Sequence, residues 1–314
     1  MRIGIVVDAT CDLPDDYLKR HGIVVLPISL RFGDHWIHDS RDPAATRSFY
    51  TSRVDSREDD FAESAPFSPG EIEKLFLDRL VIDYDYVFCL TIPSSRSPIY
   101  DHAMLASRSI LSKYREPRRS AGLPERFGLA VVNSRNLFAG QGIQASEAVR
   151  MVQAGLSPSE IGHRMRELGD LTYTYLVPAD LHYIYKRASK KGDRSIGWGG
   201  YALGTMLDVK PILRCHKDET GPVDKVRGFS AGTERLFANL CQRIEAGLEA
   251  PVVCLSYGGD IAKVKAMPGY QKLAKLAESR GVAVLLSTMS KTAAVNVGPG
   301  ALAVAFAAQP HEFQ

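Results

Sequence analysis

A chain of 314 residues exceeds the roughly 250 to 300 at which a single hydrophobic core usually stops growing, so we expect two domains. Hydrophobic residues make up 45% and charged residues 24% of the chain, as in ordinary globular proteins. The 39 lysines and arginines against 36 aspartates and glutamates leave a net charge of only +3, which argues against a nucleic-acid partner.

The cysteines and the apolar runs of the sequence indicate in which compartment of the cell the protein is expected. Five widely spaced cysteines, an odd number, are typical of reduced thiols in a cytoplasmic protein. The N-terminal apolar run is too short for a signal peptide, because Asp8 interrupts it. The late apolar stretch, residues 293–308, contains Asn296, Pro299 and two glycines, so we predict no membrane span.

In the first half of the chain, β-rich runs alternate with segments of helical periodicity. This alternation predicts an N-terminal α/β domain, residues 1–170, with a Rossmann-like, parallel, doubly wound sheet. Strands are predicted at residues 3–7, 23–30, 86–91 and 128–132, and helices from residue 14 and at 69–80, 98–114, 141–154 and 158–168.

In the second half, the turn-like residues 217–221 separate two predicted strands and indicate a hairpin. We therefore predict a C-terminal α/β domain, residues 171–314, with a mixed sheet. Its strands are predicted at residues 173–177, 211–214, 223–227, 252–257 and 282–287, and its helices near 180–190, 198–207, 231–248, 260–279 and 300–308.

Two short motifs have structural explanations that we prefer. The two histidines of residues 34–39 are metal-type ligands, but the segment has the pattern of an exposed polar hairpin, and we predict no metal site. Residues 140–145 match the dinucleotide pattern G-x-G-x-x-G/A, yet the preceding strand ends several residues too early. A helix start loosened by glycine is the simpler interpretation.

Hydroxyl and glycine clusters are predicted to fall after strands and before helices, where free backbone N–H groups attract anions. Each cluster alone is typical of a helix cap, but together they favour a carboxylate or phosphate site. Ser94, Gly298 and Gly300 are expected to support this anion site. The clusters are Ser64 with Ser68, residues 94–98, and residues 296–300.

In these segments and several others, in order along almost the whole chain, the sequence resembles the DegV family of bacterial fatty-acid-binding proteins. Residues 8–14 resemble D-S-T-x-D-L-P, 64–71 resemble T-S-Q-P-S-P-G-E, 92–100 resemble I-S-S-x-L-S-G-T-Y, 131–134 resemble V-x-D-S, and 210–213, 225–228 and 298–302 are further matches.

The resemblance implies a DegV-like protein that binds a long-chain fatty acid between two domains and does not itself catalyse a reaction. Ser64, Ser97 and Asn296 are expected at the head group, and no cofactor is expected besides the fatty acid. Family members present the acid to a separate fatty acid kinase subunit. Arg194, in the segment nearest to the family's G-G-R-I-S, is the docking candidate.

The sequence departs from the family pattern near the expected head group. Alignment pairs Ser64 and Ala65, or alternatively Glu63 and Ser64, with the family's Thr-Ser, so one hydroxyl remains. Asn296 replaces a common histidine and cannot carry a positive charge. Residues 98 and 99 are Pro and Ile instead of Gly and Thr, which removes an N–H and a hydroxyl.

Two other interpretations remain open at the level of sequence. An enzyme acting on a small phosphorylated or acylated metabolite could use the same anion site, with His102 as the one nearby candidate base. The cations at residues 186, 187, 190, 191 and 194 either form a solvated helix end or a docking patch for an acidic partner.

Overall fold

A computed structural model describes residues 1–52, 63–190 and 208–314, with side chains described only outside residues 187–190. Arg194 and the helix predicted at 198–207 lie outside these ranges. The described strands are β1 Ile3–Asp8, β2 Val24–Leu26, β3 Ile28–Phe32, β4 His35–Asp39, β5 Glu63–Pro66, β6 Tyr86–Thr91, β7 Gly128–Asn133, β8 Thr172–Val177, β9 Val209–His216, β10 Glu219–Arg227, β11 Val252–Tyr257, β12 Ala283–Thr288 and β13 Leu302–Ala307.

The described helices include a π-helical turn, Phe76–Leu80, between α3 and α4 and a 3₁₀ turn, Ile110–Ser112, after α5. They are α1 Asp15–Arg20, α2 Pro43–Ser52, α3 Pro69–Leu75, α4 Val81–Asp83, α5 Ile99–Ser109, α6 Arg115–Ser120, α7 Ala139–Gln153, α8 Pro158–Leu171, α9 Leu181–Lys190, α10 Phe229–Ala246, α11 Ala262–Lys265, α12 Tyr270–Ser279 and α13 Lys291–Val297.

Three sheets organise these elements. A parallel sheet has the order β2-β1-β6-β7, and a mixed sheet has the order β10-β9-β8-β13-β11-β12. Both confirm the predicted α/β architecture. A small antiparallel sheet, β4-β3-β5, was not predicted; the run expected as one strand at 23–30 divides into β2 and β3. The domain boundary near residue 170 stays a prediction.

Helix α7 forms the layer between the two larger sheets, and nearly all its residues are buried. A Cβ on Gly140 would lie 2.3 Å from Asn136 Oδ1 and from Thr174 Oγ1. A Cβ on Gly142 would lie 3.1 Å from Leu13 and 3.2 Å from Cys254. These glycines therefore permit close packing of a helix between sheets, which explains the dinucleotide-like spacing without a nucleotide.

Several helix boundaries follow the sequence signals. Ser68 and Ser157 both form capping boxes, with Glu71 and Glu160, before a proline at the first turn. The helix expected at 260–279 is interrupted at Gly269, whose φ is +90°.

The helix predicted at 300–308 is wrong, because this segment is strand β13. Its residues are all buried between neighbouring strands β8 and β11, with α7 on one face and α10 on the other. A short apolar run of this kind has no two-residue alternation, so its periodicity cannot separate a strand from a helix.

Within residues 1–52, 63–190 and 208–314, no helix combines the length and the apolar character that a membrane span requires. Likewise, no group of three or more His, Cys, Asp or Glu residues in those ranges is arranged to hold a metal ion. His38 lies in the β3–β4 hairpin and contacts Ser29, with 3.2 Å between Nδ1 and Oγ.

Candidate functional site

A buried aspartate orders the loop that carries the predicted serines. One carboxylate oxygen of Asp8, at the end of β1, accepts hydrogen bonds from the N–H and hydroxyl of Thr10 at 2.9 and 2.6 Å. The other accepts from the N–H of Ile92 at 2.7 Å, directly after β6, and from Gln141 at 3.3 Å. Asp8 therefore fixes the start of the segment that contains Ser94 and Ser97.

Ser97 lies one turn further, beside the start of α5. Its hydroxyl accepts a hydrogen bond from the N–H of Ile99 at 3.3 Å, and its own N–H donates to the carbonyl of Pro93 at 3.1 Å. Ser97 is half-buried, whereas Ser94 is exposed in the preceding turn. This position, just after a strand and before a helix, agrees with the prediction for Ser97.

Ser64 lies in β5, opposite Leu30 of β3, and is exposed. It is therefore a strand residue, and Ser68 is the residue that caps the following helix. The segment after β5 contacts α5, because Nδ1 of His102 donates to the carbonyl of Phe67 at 2.8 Å. Since that nitrogen is engaged, the contact gives His102 a structural role.

Asn296 lies near the end of α13, and its amide donates to the carbonyl of Thr292 at 2.6 Å. The prediction that Asn296 to Gly300 precede a helix is wrong, because they end one helix and lead into β13. The N–H of Gly298 donates to Ala294, and that of Gly300 donates to Gly258. Both N–H groups thus have partners within the protein.

The two glycines serve a packing role that the sequence did not reveal. Gly298 and Gly300 have φ values of +91° and +76°. A Cβ on Gly298 would lie 2.6 Å from the ring of Tyr183, and one on Gly300 would lie 2.9 Å from Ala179. They allow the turn after Asn296 to pack closely against α9 and the residues before it.

A shared apolar cluster connects α13 with the serine-bearing loop. This outer cluster contains buried side chains of the parallel sheet, α3 and α5, among them Ile92 and Ile99. Val295, the neighbour of Asn296, packs against the same cluster. The polar residues Ser97 and Asn296 are therefore attached to elements that meet across one apolar layer.

A cavity of about 500 Å³ opens beside the turn after Asn296. This volume is within the range of small-molecule pockets. Its wall combines α2, α9, α11, the loops after β8 and β11, and the turn before β13, with three tyrosines among its residues. The lining consists of Tyr50, Thr51, Asp180, Tyr183, Tyr257, Gly258, Gly259, Asp260, Lys263, Pro299 and Gly300.

A buried ion pair connects the first turn of the chain to the mixed sheet. Arg41 Nη1 lies 3.0 Å from the Asp12 carboxylate, and both side chains are at most 3% exposed. The same carboxylate accepts from the hydroxyl of Ser256 at 2.5 Å and from the N–H of Ser290 at 2.8 Å. Burial raises the pKa of Asp12 to about 6, although Arg41 and these hydrogen bonds oppose the rise.

Asp39 stabilises the first turn of α13. One carboxylate oxygen of Asp39 accepts from the N–H and the hydroxyl of Thr292, at 2.7 and 2.8 Å. Lys291 donates to the carbonyl of His38 at 2.8 Å. Strand β4 thereby holds the first turn of the helix that carries Asn296. Sequence reasoning missed Asp39 because its partners are 253 positions away.

The cationic segment predicted at residues 186–194 lies only partly within the described residues. Lys186 lies in α9, while the side chains of residues 187–190 and all of Arg194 lie outside the described residues. The docking role of Arg194 stays a prediction.

The fold and site define an α/β protein in which a parallel and a mixed sheet enclose a buried helix, with hydroxyl and amide side chains near their junction. A sequence model of the DegV family, described as an uncharacterised protein family, matches residues 2–309. The chain therefore belongs to the DegV family.

Relatives and solved structures agree with this assignment. A DegV domain-containing protein of Xanthomonas campestris pv. campestris is 50% identical over 313 residues, covering 100% of this chain and 99% of the relative. A DegV lipid-binding protein of Thermotoga maritima has a similar structure, with a TM-score of 0.75, 20% identity and 100% coverage of both chains. A stearic acid-binding protein of Eubacterium ventriosum has a TM-score of 0.75 and 22% identity, covering 97% of this chain and 98% of that protein.

Proposed function

We propose that this protein is a non-catalytic carrier of a long-chain fatty acid in the cytoplasm. Ser64, Ser97 and Asn296 hold the carboxylate, and Ser94 supports it. Gly298 and Gly300 contribute by shaping the turn, since their N–H groups are occupied. The observation that carries the proposal is that the Ser97 loop and the Asn296 helix both pack on one apolar cluster.

Physical chemistry favours an acid with a long tail at such a site. Burial of a tail of ~16 carbons at ~0.8 kcal/mol per methylene contributes on the order of 10 kcal/mol before the costs of association. The apolar side chains of Ile92, Ile99 and Val295 begin the layer that receives the tail. Hydroxyl and amide donors then orient the carboxylate at the polar end.

The partner in this proposal is a separate fatty acid kinase, which receives the acid through its exposed carboxylate. Arg194 is the proposed docking residue. The names of solved relatives with this fold, which include a stearic acid-binding protein, support the ligand and say nothing of the kinase. The rival proposal of an enzyme gains no specific support, since His102 holds the carbonyl of Phe67.

Replacing Ser97 with alanine is expected to weaken fatty-acid binding by about 1 to 3 kcal/mol, because a buried carboxylate oxygen loses its hydroxyl donor. Displacement of a fluorescent fatty acid measures the affinity. Ser97→Thr, which keeps a hydroxyl, should restore most of it, and Ser112→Ala, at an exposed position after α5, is the matched control. Equal affinities of the Ser97→Ala variant and the wild type would remove Ser97 from the site.

A further inference from the structure

A second polar cluster lies on the opposite face of the mixed sheet from α7, under helix α10. Asn239 is only 1% exposed, yet neither its amide nitrogen nor its amide oxygen has a hydrogen-bond partner in the described ranges. The same holds for Nε of Arg243 and Oε1 of Gln242, which follow on the same helix. Buried polar atoms without partners are rare in native proteins and often mark a bound ion or water.

The direction of α10 identifies what faces Asn239. A Cβ on Gly232 would lie 3.2 Å from Val226, and Arg235 forms an ion pair with Asp224 at 3.2 Å. In β10, the step from Val226 to Asp224 leads toward the C-terminal end of its partner β9. The helix therefore advances in the same direction as β9.

Asn239 lies about two turns beyond Gly232, on the same side of α10. Asn239 also lies one turn beyond Arg235, a rise of about 6 Å that corresponds to about two residues of a strand. Because Asp224, the partner of Arg235, pairs with Ile212, this rise brings Asn239 level with Arg214 of β9. One turn later, Arg243 lies close enough to Tyr175 and His311 for its charge to act on both. Thus two guanidinium groups flank the unpartnered amide.

The pKa of His311, next to this cluster, also reflects the positive charges of Arg214 and Arg243. Burial lowers the pKa of His311, and the charges of Arg243 and Arg214 lower it further. His311 accepts a hydrogen bond from the hydroxyl of Tyr175, with 3.1 Å between oxygen and Nε2. Tyr175 is directly opposite Arg214 in the β8–β9 pairing. The cluster is therefore contiguous from α10 to the C-terminal segment.

No carboxylate in the described parts of the chain forms an ion pair with Arg214 or Arg243. Both side chains are half-buried, so a small ligand can approach from solvent. Two positive charges and an amide donor, pointing from a strand and a helix, suit an anion with several oxygens and up to two negative charges. A phosphate group has this chemistry.

We propose that Arg214, Asn239 and Arg243 form a binding site for a phosphate group, separate from the fatty-acid site. The proposal does not depend on fatty-acid binding, because the cluster lies on the other face of the mixed sheet. The phosphate group belongs either to inorganic phosphate or to a phosphate monoester, which have the same tetrahedral chemistry.

The test is to titrate the protein with inorganic phosphate and, separately, with glycerol 3-phosphate. Isothermal titration calorimetry and thermal unfolding measure the binding. Saturable binding is expected, and Arg214→Gln and Arg243→Gln should each weaken it at least about tenfold. Tighter binding of one probe identifies the source of the phosphate group. Arg119→Gln, at an exposed arginine paired with Glu116 and Glu125, is the matched control.

Asn239→Leu separates a ligand site from a site that holds only water. If wild-type protein binds neither probe at about 10 mM and Asn239→Leu merely raises its melting temperature, the proposal is overturned. A response no larger than that to chloride at equal ionic strength overturns it as well. Equal affinities of the wild type and both arginine variants for the phosphate probes would also overturn the proposal.

Discussion

Replacing Arg41 with methionine is expected to lower the free energy of unfolding by about 3 to 5 kcal/mol, because it leaves the Asp12 carboxylate buried without its cation. Arg41 also donates to the carbonyls of Leu13 and Thr288, at 3.0 and 3.1 Å, and so joins the first turn of the chain to the end of β12. Urea denaturation measures the change.

The matched control is Arg31→Met, because Arg31 pairs with Glu63 at 2.8 Å while the two side chains are 42% and 49% exposed. A surface pair of this kind contributes only about 0 to 1 kcal/mol. An equal loss in both variants would contradict the claim that burial of the Asp12–Arg41 pair determines its effect.

The pH dependence of the Arg41→Met variant tests the electrostatic origin of the loss. The pKa of Asp12 is already raised by burial to about 6 with Arg41 present, and removal of Arg41 favours the protonated form further. The loss of stability should therefore shrink as the pH falls toward about 6, because Asp12 of the folded variant takes up its proton at a higher pH than Asp12 of the wild type. Below about pH 6 both proteins bind this proton, and the remaining loss should stay constant. A loss independent of pH would indicate packing as its cause.

The second large effect is expected at Gly140, where substitution by alanine should cost about 2 to 4 kcal/mol. Its Cβ would collide with the hydrogen bond that Thr174 donates to Asn136, at 2.7 Å, inside the layer between the sheets. Thermal and urea unfolding of the Gly140→Ala variant measure this loss of stability.

Gly70→Ala serves as the control, because a Cβ on Gly70 meets no atom within 4 Å. That change should leave stability unaltered or raise it by up to about 1 kcal/mol, since alanine favours the helix. A Gly140→Ala variant as stable as the wild type would show that α7 can shift within its layer, contrary to the close-packing explanation.

Local signals predicted much of the fold, and they failed where burial or distance decides the structure. The run Tyr86–Thr91 and the cap at Ser157 were recognisable because each signal lies within a few residues. Residues 302–307 were misassigned because burial on both faces erases the two-residue alternation of a strand.

The positions of the candidate site residues were predictable to a similar degree. The location of Ser97 between a strand and a helix was recognisable from the sequence, whereas the location of Asn296 at the end of a helix was not. The contacts of Asp39 with Thr292 join distant parts of the chain, and no spacing rule reveals such a pair. Resemblance to the family identified the segments, while the structure supplied their connections.

The most direct test of the carrier proposal is mass spectrometry of the organic extract from natively purified, then denatured protein. The protein should be expressed in cells that contain ordinary lipids and purified without detergent. A long-chain fatty acid in stoichiometric amount is the predicted result, and Ser97→Ala protein should retain less of it. An extract free of acyl carboxylates, or one that contains a phosphorylated metabolite in stoichiometric amount, would contradict the proposal.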